Sequence, residues 1–95
     1  MAVVRIHQYT VTPADLPELL TKRAAVIATI RAAHSGLSHT QLTRHDDDTF
    51  TDAWRWDSAK EMLAALATMP IPEAAEAMSL TRDTTARDGE IVDER

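Results

Sequence analysis

Phe50-Thr51-Asp52-Ala53-Trp54-Arg55-Trp56-Asp57-Ser58, followed by Ala59-Lys60-Glu61-Met62-Leu63, holds both tryptophans of the chain and its only phenylalanine. Alternate side chains of a strand leave on opposite faces. Phe50, Asp52, Trp54 and Trp56 therefore share one face, and Thr51, Ala53 and Arg55 share the other. The first face is large and aromatic, with a carboxylate in its middle. Aromatics on one face make a core. A carboxylate among them needs a partner or a task. The alternation stops at Asp57-Ser58, where either residue can cap a helix that begins near Ala59. Glu61 is placed to close a capping box on Ser58.

Val3 to Val11 is rich in β-branched residues and reads as the first strand. Val3, Arg5, His7, Tyr9 and Val11 take one face; Val4, Ile6, Gln8 and Thr10 take the other. Neither face is cleanly polar, so both should be covered, one by helices and one by a second subunit. Thr12-Pro13-Ala14-Asp15 starts a helix: Thr12 caps, Pro13 suits the first turn, and Asp15 complements the positive helix end. Leu16, Leu19, Leu20, Ile27 and Ile30 recur at helical spacing, with Lys22, Arg23 and Arg31 on the wet side or its edges. The helix should end near Ala33-His34-Ser35, with His34 structural and Gly36 in the left-handed C-terminal position.

Leu37 to Arg44 is the second strand, His45-Asp46-Asp47-Asp48 a charged turn, and the aromatic strand follows from Thr49 to complete a hairpin. Beyond Trp56 a helix carries Met62, Leu63, Leu66 and Ala67. Pro70-Ile71-Pro72 breaks it, and Glu73 to Leu80 is a second helical piece. Thr84 to Val92 is the last strand, with Gly89 a bulge or bend. The order strand, helix, strand, strand, helix, strand is the split βαβ, or ferredoxin-like, α+β arrangement. It gives a four-stranded antiparallel sheet with helices on one face, in a single domain over residues 1–95.

Composition narrows the function classes. A chain of 95 residues buries roughly 60–65% of its unfolded surface, and without cysteine no disulfide supplements that modest core. A homodimer is expected. Fifteen acidic against ten basic residues give a net charge of −5, which argues against nucleic acid. No apolar run approaches ~18 residues, so no membrane partner is expected. The N-terminus lacks the apolar centre of a signal peptide, so a cytoplasmic location is the default. There is no Gly-rich phosphate loop. His7, His34, His39 and His45 are scattered, and consecutive residues of the His45–Asp48 turn point in different directions. The expectation is a protein with no cofactor and no metal.

The first strand running into Thr12-Pro13-Ala14-Asp15, Ser35-Gly36-Leu37 after the long helix, and Trp56-Asp57-Ser58 entering a broken helix together resemble the antibiotic biosynthesis monooxygenase superfamily. The resemblance covers nearly the whole chain. It implies a dimeric α+β barrel, with a small-molecule pocket between the sheet and the helices of each subunit. Some members of that superfamily oxidise aromatic polyketides with oxygen and no cofactor; others degrade haem. In the cofactor-free members a tryptophan matching Trp56 and a polar residue matching Asp52 line the pocket, and an asparagine would be the closer match at position 52. In the haem-degrading members a histidine after the third strand ligates iron. This chain has none after His45, and has His7 where those members place an asparagine. Haem degradation is disfavoured.

An electron-rich phenol or hydroquinone reacts with oxygen mainly after losing a proton. Its protein needs a dry pocket, a base, and donors for the anion. Asp52 or His7 is the candidate base, Trp54 or Trp56 the flat wall and indole donor, and Arg5 or Arg55 the group that holds the anion. His39, on the face of Leu37 and Gln41, is a further candidate for pocket, core or interface. The sequence thus supports a cofactor-independent monooxygenase-like protein acting on a small aromatic molecule. The alternative is a non-catalytic binding or structural dimer in which Asp52 merely pairs with an arginine. A cavity ringed by titratable groups favours the first, and a cavity filled by Trp54 and Trp56 favours the second.

Overall fold

Strand β1 (Val3–Val11) lies inside the sheet, paired antiparallel with both β3 (Thr49–Trp56) and β4 (Thr81–Glu90). The computed structural model describes residues 1–95 and gives the order β2-β3-β1-β4, with β2 spanning Leu37–Arg44. This is the expected ferredoxin-like α+β fold. Helix α1 (Leu16–Ala33) packs with α3 (Pro72–Met78), and α2 (Ala59–Leu66) packs on β3. No helix is long and apolar enough to cross a membrane.

The register brings the aromatic face together. Val3 pairs with Trp56, Arg5 with Trp54, His7 with Asp52 and Tyr9 with Phe50. The Tyr9 and Phe50 rings stack at 6.2 Å. Apolar packing falls into two clusters. Tyr9, Val11, Leu19 and Phe50 form one. Val26, Ile27, Ile30, Leu37, Trp56, Met62 and Ala65 form the other. Between them the sheet carries Arg5, His7, Asp52 and Trp54.

Local chemistry explains most boundaries. The chain leaves β1 through a 3₁₀ turn at Pro13–Asp15, and neither Thr12 nor Asp15 makes a side-chain cap bond. Ser58 does cap α2: its hydroxyl accepts from the Glu61 backbone N–H at 3.2 Å, as the capping-box spacing requires. In the charged turn, Asp48 takes a left-handed φ of 64°, and the Asp47 carboxylate accepts from the Thr49 N–H and hydroxyl.

Three expectations are corrected. Gly36 has no positive φ. Its need for glycine is spatial, because a Cβ there would collide with the Glu61 side chain folded over it. The last strand begins at Thr81 rather than Thr84, so it pairs with Val11 at its start. Its irregularity lies opposite the Gln8–Thr10 stretch, where Asp83 takes a φ of 55°, and Gly89 is regularly paired with Val4.

Candidate functional site

Asp52 is 6% exposed and is the one charged residue in the buried core. Four donors converge on its carboxylate. Arg23 supplies two: Nε lies 3.2 and 3.1 Å from the two oxygens, and Nη2 lies 2.9 Å from Oδ1. The Tyr9 hydroxyl donates to Oδ2 at 2.8 Å, and the Trp54 indole Nε1 donates to Oδ1 at 2.7 Å. A carboxylate offers about four acceptor directions, so this one is fully used. The guanidinium meets it side-on in the fork geometry that makes such pairs strong.

Arg23 is the residue the sequence reading misplaced. It belongs to the inner stripe of α1, one turn from Leu19 and one turn before Val26 and Ile27, all three buried. Its side chain is 15% exposed rather than wet. The signal was present: positions 19, 23, 26, 27 and 30 form one helical stripe, and an arginine inside it needs a buried anion. Lys22 does lie at the edge, bridging Glu18 on its own helix to Glu76 of α3 at 3.6 and 3.4 Å.

A cavity of about 330 Å³ opens above this network, between the sheet and the helices. Arg5, His7, Tyr9, Asp52, Trp54 and Trp56 form its floor, and Leu19, Arg23, Val26 and Ile30 its side along α1. The opposite wall comes from Leu66, Met69, Pro70 and the small side chains Ala74, Ala75 and Ala77. The turn between α2 and α3, with its cis Met69–Pro70 bond, brings that wall over the floor. Thr81 and Thr84 close the end at β4. The volume suits one or two aromatic rings and lies in the range of small-molecule sites.

The floor residues differ in what they have left to offer. The Trp54 indole is committed to Asp52, so this ring is a wall and not a free donor. Trp56 is 3% exposed and belongs to the larger cluster. Burial and the neighbouring Asp52 push the Tyr9 phenol well above its ordinary range, which keeps it a neutral donor. Arg5 sits opposite Asp88 in register and donates to both of its oxygens at 2.9 Å. Burial, reinforced by the charge of Arg5, lowers the His7 imidazole below its ordinary value, against smaller opposing effects of Asp52 and Asp88.

Five of the seven residues singled out from the sequence thus meet around one cavity: Arg5, His7, Asp52, Trp54 and Trp56. His39 does not. Leu37 pairs with Trp56, but His39 pairs with Arg55, so Ser38 is an extra residue in β2. One inserted residue reverses the parity. His39 is therefore exposed on the face away from the helices, and Thr40 and Leu42 take the cavity side opposite Trp54 and Asp52. Arg55, the other arginine considered for the anion, is held by Glu94, Asp57 and Ser38 on that same far face.

The architecture is found in solved structures. SnoaB from Streptomyces nogalater, described as a cofactor-independent oxygenase, is similar with a TM-score of 0.78 at 21% identity, covering 98% of this chain and 95% of its own. A protein of the antibiotic biosynthesis monooxygenase type from Caulobacter crescentus gives a TM-score of 0.73 at 14% identity over 97% of this chain and 91% of its own. MhuD, solved with two manganese protoporphyrins per active site, gives 0.68 at 22% identity over 98% and 97%. No protein-family model and no curated protein sequence matches the chain. The four-stranded α+β fold of the single chain that the resemblance implies is the fold found.

Proposed function

We propose that this protein is a cofactor-independent monooxygenase acting on a small phenol or hydroquinone. One observation carries the reading: an apolar cavity stays open beside Trp54 and Trp56 instead of being filled by them, and its floor is titratable. The likeness of fold to a cofactor-independent oxygenase supports the same reading. The chemistry balances with dioxygen as the second substrate. A base in the cavity takes the phenol proton. The phenolate gives an electron to oxygen, and the radical pair closes a C–O bond at the para carbon to give a peroxide. After protonation of the peroxide, loss of the para proton forms the second carbonyl and cleaves the O–O bond. The hydroxide released takes up a proton as water. Phenol and oxygen thus become quinone and water, with all four electrons drawn from the substrate. A hydroquinone, which has no para proton, reacts at the open carbon ortho to the phenolate oxygen and gives a hydroxyquinone and water by the same count. The low-polarity walls keep bulk water from the intermediates.

The test is oxygen uptake with 1-naphthol. We expect consumption of one oxygen per naphthol, with 1,4-naphthoquinone as product, in protein stripped of metals. Rates no higher than the buffer background across naphthols, hydroquinones and anthrones would overturn the reading. One observation favours a binding protein without chemistry: Asp52 is paired with an arginine, the arrangement a purely structural carboxylate would show. Such a protein would bind 1-naphthol and leave oxygen untouched.

Assembly as a homodimer belongs to the same proposal. All helices cover one face of the sheet, and Val4, Ile6 and Ala53 lie on the other beside Gln8, Thr51, Thr85 and Arg87. That face is half-apolar with no layer of the same chain over it. A barrel closed by a second copy buries roughly 2,000 Å² or more. Sedimentation at micromolar concentration should give a dimer, and a stable folded monomer would count against it.

A further inference from the structure

We infer that His7, not Asp52, accepts the hydroxyl proton of the ligand, and that the cavity selects aromatics that are uncharged before the transfer. This rests on the proposed oxidation of a phenol but is tested separately from it. A base must have an acceptor free for the proton it removes. Asp52 has none, since Arg23, Tyr9 and Trp54 occupy it. His7 stands beside it in register, lines the cavity, and takes no hydrogen bond from any group of the chain. The Tyr9 oxygen also keeps a free lone pair, but a neutral phenol is far too weak a base to take a proton, which leaves His7.

The surroundings of His7 fix its sign. From its own strand Arg5 and Tyr9 face it, from β3 Asp52, from β4 Asp88, and from α1 Arg23. Helices α2 and α3 present only alanine, leucine and methionine to the cavity. Burial and Arg5 hold the ring neutral, so an acceptor nitrogen is present at neutral pH. Each charge on the floor already has its partner: Arg23 has Asp52, and Arg5 has Asp88. A carboxylate on the ligand would meet only cations whose charge is already paired, and would be poorly compensated for the water it loses. A neutral ring with one hydroxyl loses little.

The experiment compares wild type, His7→Gln and Asp52→Asn, with melting temperatures recorded for each. Binding of 1-naphthol is followed by its fluorescence without oxygen from pH 5 to 8, where the naphthol stays uncharged. The imidazole must be neutral to accept the bond. Affinity should therefore fall toward acid with a midpoint below about 6.5, the ordinary histidine value. His7→Gln should flatten that dependence and weaken binding about threefold to tenfold. With oxygen, His7→Gln should lose ~10²–10⁴-fold in turnover. Asp52→Asn should lower the melting temperature and keep the acid limb. 1-Naphthoate should bind at least about tenfold more weakly than 1-naphthol. The inference fails if the acid limb persists in His7→Gln, if Asp52→Asn abolishes it, or if naphthoate binds better. Wild type that shows the acid limb in binding but consumes no oxygen removes the oxygenase reading and leaves the assignment of His7 standing.

Discussion

Replacing Arg23 by methionine should cost about 3–5 kcal/mol, the loss typical when one member of a buried ion pair is removed. For a chain of this length each kcal/mol lowers the melting temperature by ~4–8 °C, so a drop above about 12 °C is expected. The size follows from what stays behind. Asp52 would keep the Tyr9 hydroxyl and the Trp54 indole but lose its only charge partner while 6% exposed. The double variant Arg23→Met/Asp52→Asn should recover much of the loss, since it removes the unpaired charge and keeps an acceptor for the Tyr9 hydroxyl and the Trp54 indole. Thermal denaturation of the two singles and the double measures the coupling. Additive losses would mean that the pair is not a unit.

Trp56→Ala should be of similar size, about 3–5 kcal/mol, for a different reason. Trp56 is 3% exposed and joins β3 to α1, β2 and α2 through Val26, Ile30, Leu37 and Met62. Its removal would merge a new void with the cavity it borders. Trp56→Phe keeps most of the volume and should lose clearly less. Denaturant midpoints with unchanged slope would confirm a loss of packing and not a change of fold. Equal losses for Ala and Phe would point to the indole N–H instead of its bulk.

The sheet was legible because its signals are local. The 50–56 alternation, the hairpin turn and the Ser58 cap each lie within a few residues, and all three are present. Five of the seven candidate residues follow from parity alone. What was missed depends on partners far along the chain. Arg23 and Asp52 lie 29 residues apart, and nothing near Arg23 announces a buried anion except the apolar stripe it interrupts. Ser38 looks like any strand residue, yet its insertion moves His39 to the far face. Pairing across the sheet decides that, not propensity. The start of β4 is not visible in Thr81-Arg82-Asp83, which carries little β-branched character; its pairing with β1 compensates.

The two apolar clusters share one flanking side chain, Ala77 of α3; along the sheet the polar floor and the open volume lie between them. In a chain this small, that gap is a missing keystone. Apolar atoms on either side face space where other domains place side chains, and so lack the dispersion contacts such neighbours give. A flat hydrophobic guest seated there would bridge the clusters, completing from outside an interior the chain leaves in two halves. Recognition and consolidation of the fold would then be one event, and the tightest guest would be the one that best imitates an absent core residue.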